Sequence, residues 1–337
     1  MKGIAHYRAL PRRFRRATVL LVGCGDVGLR LARERLARHP EDRLRVVGVA
    51  RSAERAATLR AAGLRPLRAD LDQRSSLNRL KGLARWMVDL APPPGAGATD
   101  PRTARLIAAL ARSGPPLARG HAPAPGARRA APADRRRWVY VSTTGVYGDC
   151  GGARFDETRP VAPRNDRAVR RVAAERLFRA AARRGLAATA ILRAPGIYAQ
   201  DRLPLDRLRA GLPALREEED VYTNHIHADD LARLCFAALF RGRPGRVIHA
   251  VDDNDLRMGD YFDCVADALE LPRPPRLSRT EVAARVSPAM LSFMSESRRL
   301  MNARLKRELR VRLDYPTVED TLAAARALRA ATPRPLL

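Results

Sequence analysis

Residues 17–28 read ATVLLVGCGDVG and join a short apolar run to a glycine-rich turn. The run contains β-branched residues and ends at glycine, which is typical of a buried parallel strand. The following segment, from Val27 to Arg38, has the apolar spacing of a helix. The stretch therefore predicts a strand, a tight turn and a helix in that order.

The three glycines of this turn have separate roles in a dinucleotide-binding βα unit. Gly23 permits the tight turn, Gly25 lets a pyrophosphate approach the backbone, and Gly28 lets the helix pack on the strand. The first helical turn, with Asp26 and Val27, presents unpaired N–H groups and the positive end of the helix dipole. We therefore predict that these five residues bind the phosphates of a nicotinamide dinucleotide.

The end of the second predicted strand, 44–50, determines which dinucleotide is expected. An NAD-binding chain usually has a carboxylate there for the ribose 2′-hydroxyl, whereas this chain has Arg51 and Ser52. Because arginine suits a 2′-phosphate, we predict NADP, with NAD as the alternative. Asp70 is predicted to contact the adenine amino group, and Asp72 to cap the helix that follows.

Strands and helices alternate along the first two hundred residues, which implies right-handed crossovers and an α/β fold with a doubly wound parallel sheet. Residues 17–200 are predicted to form this Rossmann domain. The segments 203–215 and 259–337 are mostly helical and are interrupted by prolines. We therefore expect residues 201–330 to form a smaller, mostly helical substrate lobe with segments that return to the Rossmann core.

Two segments have the composition of solvated chain. Residues 1–16 contain five arginines and no acid, which predicts a basic arm. Residues 113–137 are rich in proline, glycine and arginine and lack an apolar period, which predicts a mobile surface insertion.

The formal net charge of +28 raises the question of a nucleic-acid partner. Of the 64 basic residues, 61 are arginines and three are lysines, and the arginines are spread along an alanine-rich chain. This pattern is typical of a genome-wide codon bias, and no nucleic-acid-binding motif accompanies it. We expect no specific nucleic-acid partner, only weak nonspecific binding at low salt.

The four cysteines are scattered and have no histidines at metal spacing, so neither a metal site nor a disulfide is predicted. No apolar run reaches the roughly 18 residues that a membrane span needs, and no signal peptide is recognisable. We expect a cytoplasmic protein without a membrane partner.

Several further motifs follow in order along the chain: Asp70-Leu71, VSTTGVYG at 141–148, DETRP at 156–160, LRAPGIY at 192–198 and NHIHADDL at 224–231. With the glycine turn, they make residues 18–322 resemble the extended short-chain dehydrogenase/reductases, the NAD-dependent epimerase/dehydratase family. The tail, 293–317, is most similar to an atypical bacterial subgroup, the YeeZ-like proteins. The resemblance implies an NAD(P) cofactor, a sugar-nucleotide-like or carbonyl/hydroxyl substrate, and a possible homodimer. It also places Leu71, Ala91, Pro92 and Pro195 beside the cofactor.

In this family a Ser or Thr on the fifth strand binds the substrate oxygen, and a Tyr-x-x-x-Lys pair on the next helix transfers the proton. The resemblance places Thr143 at the hydroxyl position. Arg167 then replaces the tyrosine and Arg171 replaces the lysine, and no lysine lies anywhere between Lys81 and Lys306. The family's catalytic pair is therefore absent.

The two replacements have unequal consequences. Arg171 keeps a positive charge and can still hydrogen-bond a cofactor ribose, although its fork is wider than an ammonium group. Arg167 cannot serve as a general acid or base near neutral pH, because an arginine pKa exceeds about 12. We expect the usual proton relay to be lost.

Other residues on segments that line the family's cleft are candidate substitutes. Tyr147, Tyr198, His225 and His227 are candidate acids or bases, with packing beside the cofactor as the alternative. Asp229 and Asp230 are expected to cap the helix that begins there. Arg193, Arg298 and Arg299 are candidate ligands for an anionic substrate, or ordinary members of an arginine-rich chain.

Three functional interpretations remain open on the sequence. The first is an NADP-dependent oxidoreductase or epimerase/dehydratase in which Thr143 orients a hydroxyl or carbonyl group. The second is a non-catalytic regulatory protein whose NADP occupancy sets the conformation of the lobe. The third is nucleic-acid binding through the arginines. A titratable group beside the nicotinamide would favour the first interpretation over the second.

Overall fold

A computed structural model of the chain describes residues 18–38, 44–80, 83, 85–111 and 136–331. The predicted basic arm, 1–16, lies outside the described residues, as does the predicted insertion except for residues 136–137.

The described chain alternates strands and helices. The strands are β1 (Thr18–Val22), β2 (Arg45–Ala50), β3 (Arg65–Arg68), β4 (Trp86–Asp89), β5 (Arg137–Thr143), β6 (Arg154–Phe155), β7 (Ala188–Ala194), β8 (Gly196–Tyr198), β9 (Ala214–Leu215), β10 (His225–His227), β11 (Arg246–His249), β12 (Arg276–Leu277) and β13 (Arg299–Leu300). The α-helices are α1 (Asp26–Arg38), α2 (Ala53–Ala61), α3 (Pro101–Ala111), α4 (Asp166–Arg183), α5 (Leu205–Arg209), α6 (Ala228–Arg241), α7 (Met258–Ala268), α8 (Arg279–Ala283), α9 (Pro288–Phe293), α10 (Ala303–Glu308) and α11 (Val318–Ala331). Short 3₁₀ helices span Ser76–Leu80, Thr144–Tyr147, Gln200–Arg202 and Glu217–Glu219.

Seven of the described strands form one parallel sheet in the order β11-β7-β5-β4-β1-β2-β3. This arrangement confirms the predicted doubly wound Rossmann fold. From β1 the chain winds outward through β2 and β3, and then crosses to β4 on the other side of β1. Because the strand order reverses between β1 and β4, a crevice opens there at the carboxyl ends of the strands.

Side-chain alternation along the strands builds a core on each face of the sheet. In β5, Val139 and Val141 pack on the face covered by α1 and α6. Trp138 and Tyr140 pack on the opposite face, against α3 and α4. The Tyr140 ring stacks on Phe178 of α4 with centroids 4.8 Å apart. The near-continuous apolar character of the strands therefore reflects burial on both sides.

The second half of the chain contributes to both the sheet and the lobe. β11 pairs with β7 at one edge of the sheet, and α6 packs against α1. The lobe has its own apolar core, to which α7 contributes Phe262 and Val265 and α11 contributes Val318 and Leu322. No helix in the described ranges is long and apolar enough to span a membrane.

The predicted helix cap at Asp72 was wrong. Its carboxylate accepts from Arg102 of α3 at 2.6 Å, and the following 3₁₀ helix begins only at Ser76. The Asp72 N–H instead donates to Asp70 Oδ1 at 2.9 Å. An arginine thirty residues away binds the carboxylate that local sequence assigned to the turn.

Candidate functional site

A cleft of about 750 Å³ opens where the loops after β1, β2, β3 and β4 converge. Eight of the predicted cofactor residues line it: Gly23, Gly25, Arg51, Ser52, Asp70, Leu71, Ala91 and Pro92. The fold brings these separate segments together because all four loops leave the same edge of one parallel sheet. Arg55 and Arg102 also line the cleft, and neither was identified from the sequence.

The glycine turn fits closely against the loop after β4. Gly23 has a φ of +74°, and a Cβ there would lie 2.4 Å from the Ala91 nitrogen. A Cβ on Gly25, by contrast, would have no neighbour nearer than the Gly23 carbonyl oxygen at 4.0 Å. A Cβ on Gly28 would meet Cys24 Sγ at 3.3 Å, where α1 packs on β1. Gly23 therefore lets two loops touch, and Gly25 leaves space in front of the backbone.

Cationic side chains lie at the end of β2. Arg51 is exposed and makes no hydrogen bond or ion pair with any described residue. The Ser52 hydroxyl caps α2 by accepting from the Arg55 N–H at 3.1 Å. The Arg55 guanidinium reaches across the cleft and donates to the Cys24 carbonyl. Arg55 lies in the first turn of α2, four residues after Arg51, and this short separation was the sequence signal that could have identified it.

The N-terminus of α1 is tied to the lobe by charges. Arg30 donates to Asp26 at 2.9 Å and to Asp229 of α6 at 3.0 Å, and it also binds Asp201. Arg202 donates to the other oxygen of Asp26 at 2.9 Å. The predicted phosphate-site residue Asp26 therefore already has two arginine partners. Val27, by contrast, packs in the core beneath the turn.

Arg171 is buried behind the loop that follows β4, with 7% of its surface exposed. Its guanidinium donates to the Ala91 carbonyl at 3.2 Å, the Val141 carbonyl at 2.9 Å and the Tyr140 hydroxyl at 3.0 Å. Asp89, also buried, accepts from the Ala91 N–H at 3.0 Å. Burial raises the pKa of Asp89 from 3.8 to about 7. The hydrogen bonds from Arg171 and to Asp89 therefore hold the Ala91 backbone in place at the cleft.

Thr143 and Arg167 lie toward the same end of the sheet. Thr143 Oγ1 accepts from the Gly145 N–H at 3.2 Å, which leaves its O–H hydrogen free of any described acceptor. Arg167 is exposed in the first turn of α4. Partial burial of its guanidinium, with the charge of Arg171 as the smaller cause, lowers the pKa of Arg167. Pro195 lies between β7 and β8, outside the lining of the cleft.

Tyr147 lies in the core, with 1% of its surface exposed. Its hydroxyl accepts from Arg193 at 2.6 Å and contacts His249 Nε2 at 2.6 Å. Arg193 in turn forms a buried pair with Glu175, whose oxygens lie 2.7 and 3.0 Å from the guanidinium nitrogens. The buried position favours the packing interpretation of Tyr147 and engages Arg193 within the protein. His249 was missed because it lies about a hundred residues away in sequence.

Tyr198 and His225 pack inside the lobe. The Tyr198 hydroxyl donates to Asp252 at 3.1 Å, and burial raises the Tyr198 pKa above its usual range. The His225 ring stacks on Tyr261 with centroids 4.2 Å apart, and burial lowers the His225 pKa to about 4. His225 Nδ1 has no hydrogen-bond partner among the described residues.

The cap of α6 corrects a second prediction. The N-cap is His227, whose Nδ1 accepts from the Asp229 N–H at 3.2 Å, so Asp229 and Asp230 are not the caps. His227 Nε2 therefore donates to Gln200 at 3.2 Å, and its ring is fully buried. Asp230 accepts instead from the backbone N–H groups of residues 314 and 315, each at 2.9 Å.

The remaining two predicted arginines join the lobe to the core. Arg298 donates to the Gly148 carbonyl and to Glu296, each at 2.7 Å. Arg299 donates to the Gly152 carbonyl at 2.8 Å and lies over the ring of Tyr222. Both guanidinium groups therefore already have partners within the chain.

No curated protein matches this chain. Among solved structures, the chain is similar to a functionally unknown conserved protein from Silicibacter pomeroyi DSS, with 30% identity, coverage of 92% of this chain and 98% of that chain, and a TM-score of 0.72. A dTDP-glucose 4,6-dehydratase double mutant from Streptomyces venezuelae, solved with NAD, is 20% identical over 93% of this chain and 97% of its own, with a TM-score of 0.69. A UDP-glucuronic acid 4-epimerase from Bacillus cereus, solved with UDP-glucuronic acid and NAD, is 17% identical over 92% of this chain and 98% of its own, with a TM-score of 0.68.

The match to a family model covers most of the chain. Residues 19–250, from the first strand of the sheet to the residue after the last, match the NAD dependent epimerase/dehydratase family. The matched range includes the glycine turn, the loops of the cleft, and both Arg167 and Arg171. The chain belongs to the NAD dependent epimerase/dehydratase family.

Proposed function

We propose that the chain binds NADP in the cleft and acts as an NADP-dependent oxidoreductase or epimerase/dehydratase on a carbonyl or hydroxyl substrate of the sugar-nucleotide type. One observation carries the proposal. The glycine turn meets Ala91 at the reversal of strand order, while Arg51 and Arg55 lie at the end of β2 in the same cleft. The glycine turn suits the phosphates of a dinucleotide, and the two arginines suit its 2′-phosphate.

The residues of the cleft fit the parts of the dinucleotide. The open space at Gly25 suits the pyrophosphate, and Arg51 with Ser52 and Arg55 suits a 2′-phosphate. Asp70, which lines the cleft, would contact the adenine, and Arg171, which lies behind Ala91, would be on the nicotinamide side. When bound, NADP would supply or accept the hydride. The similar structures that contain NAD support the dinucleotide class, and the arginines favour the 2′-phosphorylated form.

The side chains of the chain itself would bind and orient the substrate. Thr143 has a free O–H hydrogen to donate to a substrate oxygen, and Arg171 fixes the loop at Ala91. The candidate acids and bases are all buried: Tyr147, Tyr198, His225 and His227. Tyr147, Tyr198 and His227 have their polar atoms engaged. Burial lowers the pKa of His225 to about 4, which leaves it uncharged near neutral pH. We therefore expect a proton to come from solvent rather than from one of these residues.

A different observation, the two arginines of α4, favours a second candidate function. Arg167 and Arg171, at the positions expected for the family's catalytic pair, cannot exchange a proton near neutral pH. A chain that binds NADP without turnover would use nucleotide occupancy to bias the position of the lobe. The seam between lobe and core, where Arg298 donates to the Gly148 carbonyl, is the element that such a bias would act on.

Cofactor preference is tested by variants at the end of β2. We would titrate the wild type, Arg51→Ala and Arg55→Ala with NADPH and NADH, following nicotinamide fluorescence. Loss of one charge-assisted contact should weaken NADPH binding by about 10- to 100-fold and leave NADH binding nearly unchanged. Arg60→Ala, an exposed arginine at the far end of α2, is the matched control and should change neither.

Turnover separates the two candidate functions. The protein would be incubated with NADPH or NADP and with aldehydes, ketones and nucleotide sugars, while both nicotinamide absorbance and the conversion of substrate to product are followed. Product conversion is needed because an epimerase or dehydratase regenerates its cofactor and shows no net consumption. Turnover by either readout that Thr143→Val abolishes without loss of NADPH binding would support the enzyme. Tight NADPH binding with neither consumption nor product across the panel would favour the regulatory protein.

A further inference from the structure

Two arginines lie one turn apart on α4, at the side of the cleft that faces the nicotinamide end. Arg167 and Arg171 are four residues apart, so they share one face of the helix. α4 packs against β5 and against the Thr144–Tyr147 turn. Arg171 donates to the carbonyl of Ala91, and Ala91 lines the cleft. The helix face that Arg167 and Arg171 share is therefore directed toward the cleft.

The buried member of this pair has no acidic hydrogen-bond partner. The three acceptors of the Arg171 guanidinium are two carbonyls and a hydroxyl, all neutral, and its Nε has no partner among the described residues. The nearby carboxyl group of Asp89 accepts from the Ala91 N–H and attracts Arg171 only through space, and burial raises its pKa to about 7. Near neutral pH, Asp89 therefore offsets the charge of Arg171 only in part.

Arg167, the exposed member of the pair, also lacks an acidic partner in the described part of the chain. Arg167 makes no hydrogen bond or ion pair with any residue in the described ranges. Two of the arginines named as candidate ligands for an anionic substrate behave differently, since Arg193 pairs with Glu175 and Arg298 pairs with Glu296. Like charges one helical turn apart repel each other, and an anion beside them would relieve that repulsion.

We propose that Arg167 binds a carboxylate group of the substrate, so that the substrate carries an acid group as well as the carbonyl or hydroxyl group that reacts. A guanidinium presents two parallel N–H donors that match the two oxygens of a planar carboxylate. Arg167 has these donors free, on the helix face that Arg171 places beside the cleft. That the bound carboxylate belongs to a reacting substrate rests on the proposed function. That Arg167 binds a carboxylate does not.

Direct binding of a small dicarboxylate tests this site. We would titrate oxalate by calorimetry into wild type, Arg167→Ala and Arg167→Lys at constant ionic strength, with and without NADPH. Oxalate should bind the wild type saturably at one site, and Arg167→Ala should weaken it about 10- to 100-fold. Arg167→Lys keeps the charge but loses the fork and should give an intermediate, several-fold loss.

The control and the NADPH titration separate the possible failures. Arg176→Ala removes an exposed arginine of the same helix and should leave oxalate binding unchanged. Oxalate binding that is absent from the wild type, or equal in wild type and Arg167→Ala, would overturn the anion site even where NADPH binds. Oxalate binding that depends on Arg167 in a protein that binds no NADPH would preserve the site and reject the proposed function. With the cofactor cleft filled by NADPH, inorganic phosphate that binds more tightly than oxalate and is lost in Arg167→Ala would overturn the assignment to a carboxylate.

Discussion

The Arg193 guanidinium donates to the Tyr147 hydroxyl at 2.6 Å inside the protein core. His249 Nδ1 donates to the Met301 carbonyl at 3.0 Å, so its Nε2 is left to accept the Tyr147 proton. Burial raises the pKa of Tyr147 to about 12 and lowers that of His249 to about 3. The neutral hydroxyl of Tyr147 therefore connects the turn after β5 to Arg193 of β7 and His249 of β11.

Tyr147→Phe should destabilise the fold without weakening NADPH binding. The change leaves Arg193 and His249 each short of one buried hydrogen-bond partner, at a cost of about 1–3 kcal/mol. Urea unfolding measures the loss, and fluorescence titration measures NADPH binding. Tyr315→Phe, whose ring stacks on His227, is the matched control and should cost less than about 0.5 kcal/mol. A Tyr147→Phe protein of normal stability that has lost turnover would instead assign the hydroxyl a catalytic role.

Gly23→Ala and Gly25→Ala should fail for different reasons. At Gly23 a methyl group meets backbone at 2.4 Å in a left-handed conformation, so folding itself should suffer by more than about 2 kcal/mol. At Gly25 the methyl group has space, so stability should change little while NADPH binding is lost. Thermal unfolding and NADPH titration of both variants distinguish these effects. Normal NADPH affinity in Gly25→Ala would argue against a pyrophosphate at this turn.

Asp89 should make stability depend on pH near neutrality. Its pKa is about 7 in the folded chain and about 4 when unfolded, so between these values the folded chain keeps a proton that the unfolded chain has lost. The stability it contributes is full below about pH 4 and is lost as the pH rises through about 7, with a slope of up to about 1.4 kcal/mol per pH unit.

Asp89→Asn removes this titration. Urea unfolding between about pH 5 and pH 8 should show the variant gaining stability relative to wild type as the pH rises. Asp206→Asn changes a fully exposed carboxylate and should leave the pH profile unaltered. Parallel profiles for wild type and Asp89→Asn would contradict the raised pKa.

Asp230→Asn should cost far more stability than Asp229→Asn. The Asp230 carboxylate is fully buried and accepts from two backbone N–H groups and from Arg233. In asparagine, the NH₂ group would replace one of these accepting oxygens and would face a hydrogen-bond donor. We expect a loss of about 2–4 kcal/mol for this change. Asp229 is partly exposed, and Arg30 keeps two other carboxylates without it, so its loss should stay below about 1 kcal/mol. Equal losses in urea unfolding would show that residues 314–315 do not depend on Asp230.

Much of the fold and of the cleft was predictable because the signals are local. The apolar run before Gly23, the glycine spacing, and Arg51 at a strand end all lie within about thirty-five residues. Parallel strands then bring their carboxyl ends together whatever their separation in sequence, which is why Ala91 and Asp70 reach the same cleft as Gly23.

The errors and omissions involve partners that are distant in sequence. Asp72 was assigned to a cap, but Arg102 binds it from α3. His227 caps α6 because its imidazole accepts the Asp229 N–H, and histidine is not a usual capping residue. His249 was not identified because nothing near it in sequence indicates that Tyr147 and Arg193 surround it. The local sequence pattern therefore predicts backbone geometry well. The partners of a side chain depend on the tertiary structure, which brings distant segments together.

Fluorescence titration of the unmodified protein with NADPH and with NADH tests the central claim most directly. Because Arg51 and Arg55 line the same cleft as the glycine turn, we expect saturable binding of both nucleotides, with NADPH at least about tenfold tighter. Preference for NADH would contradict the assignment of the 2′-phosphate to these arginines. Binding of neither nucleotide would contradict the account of the cleft as a dinucleotide site.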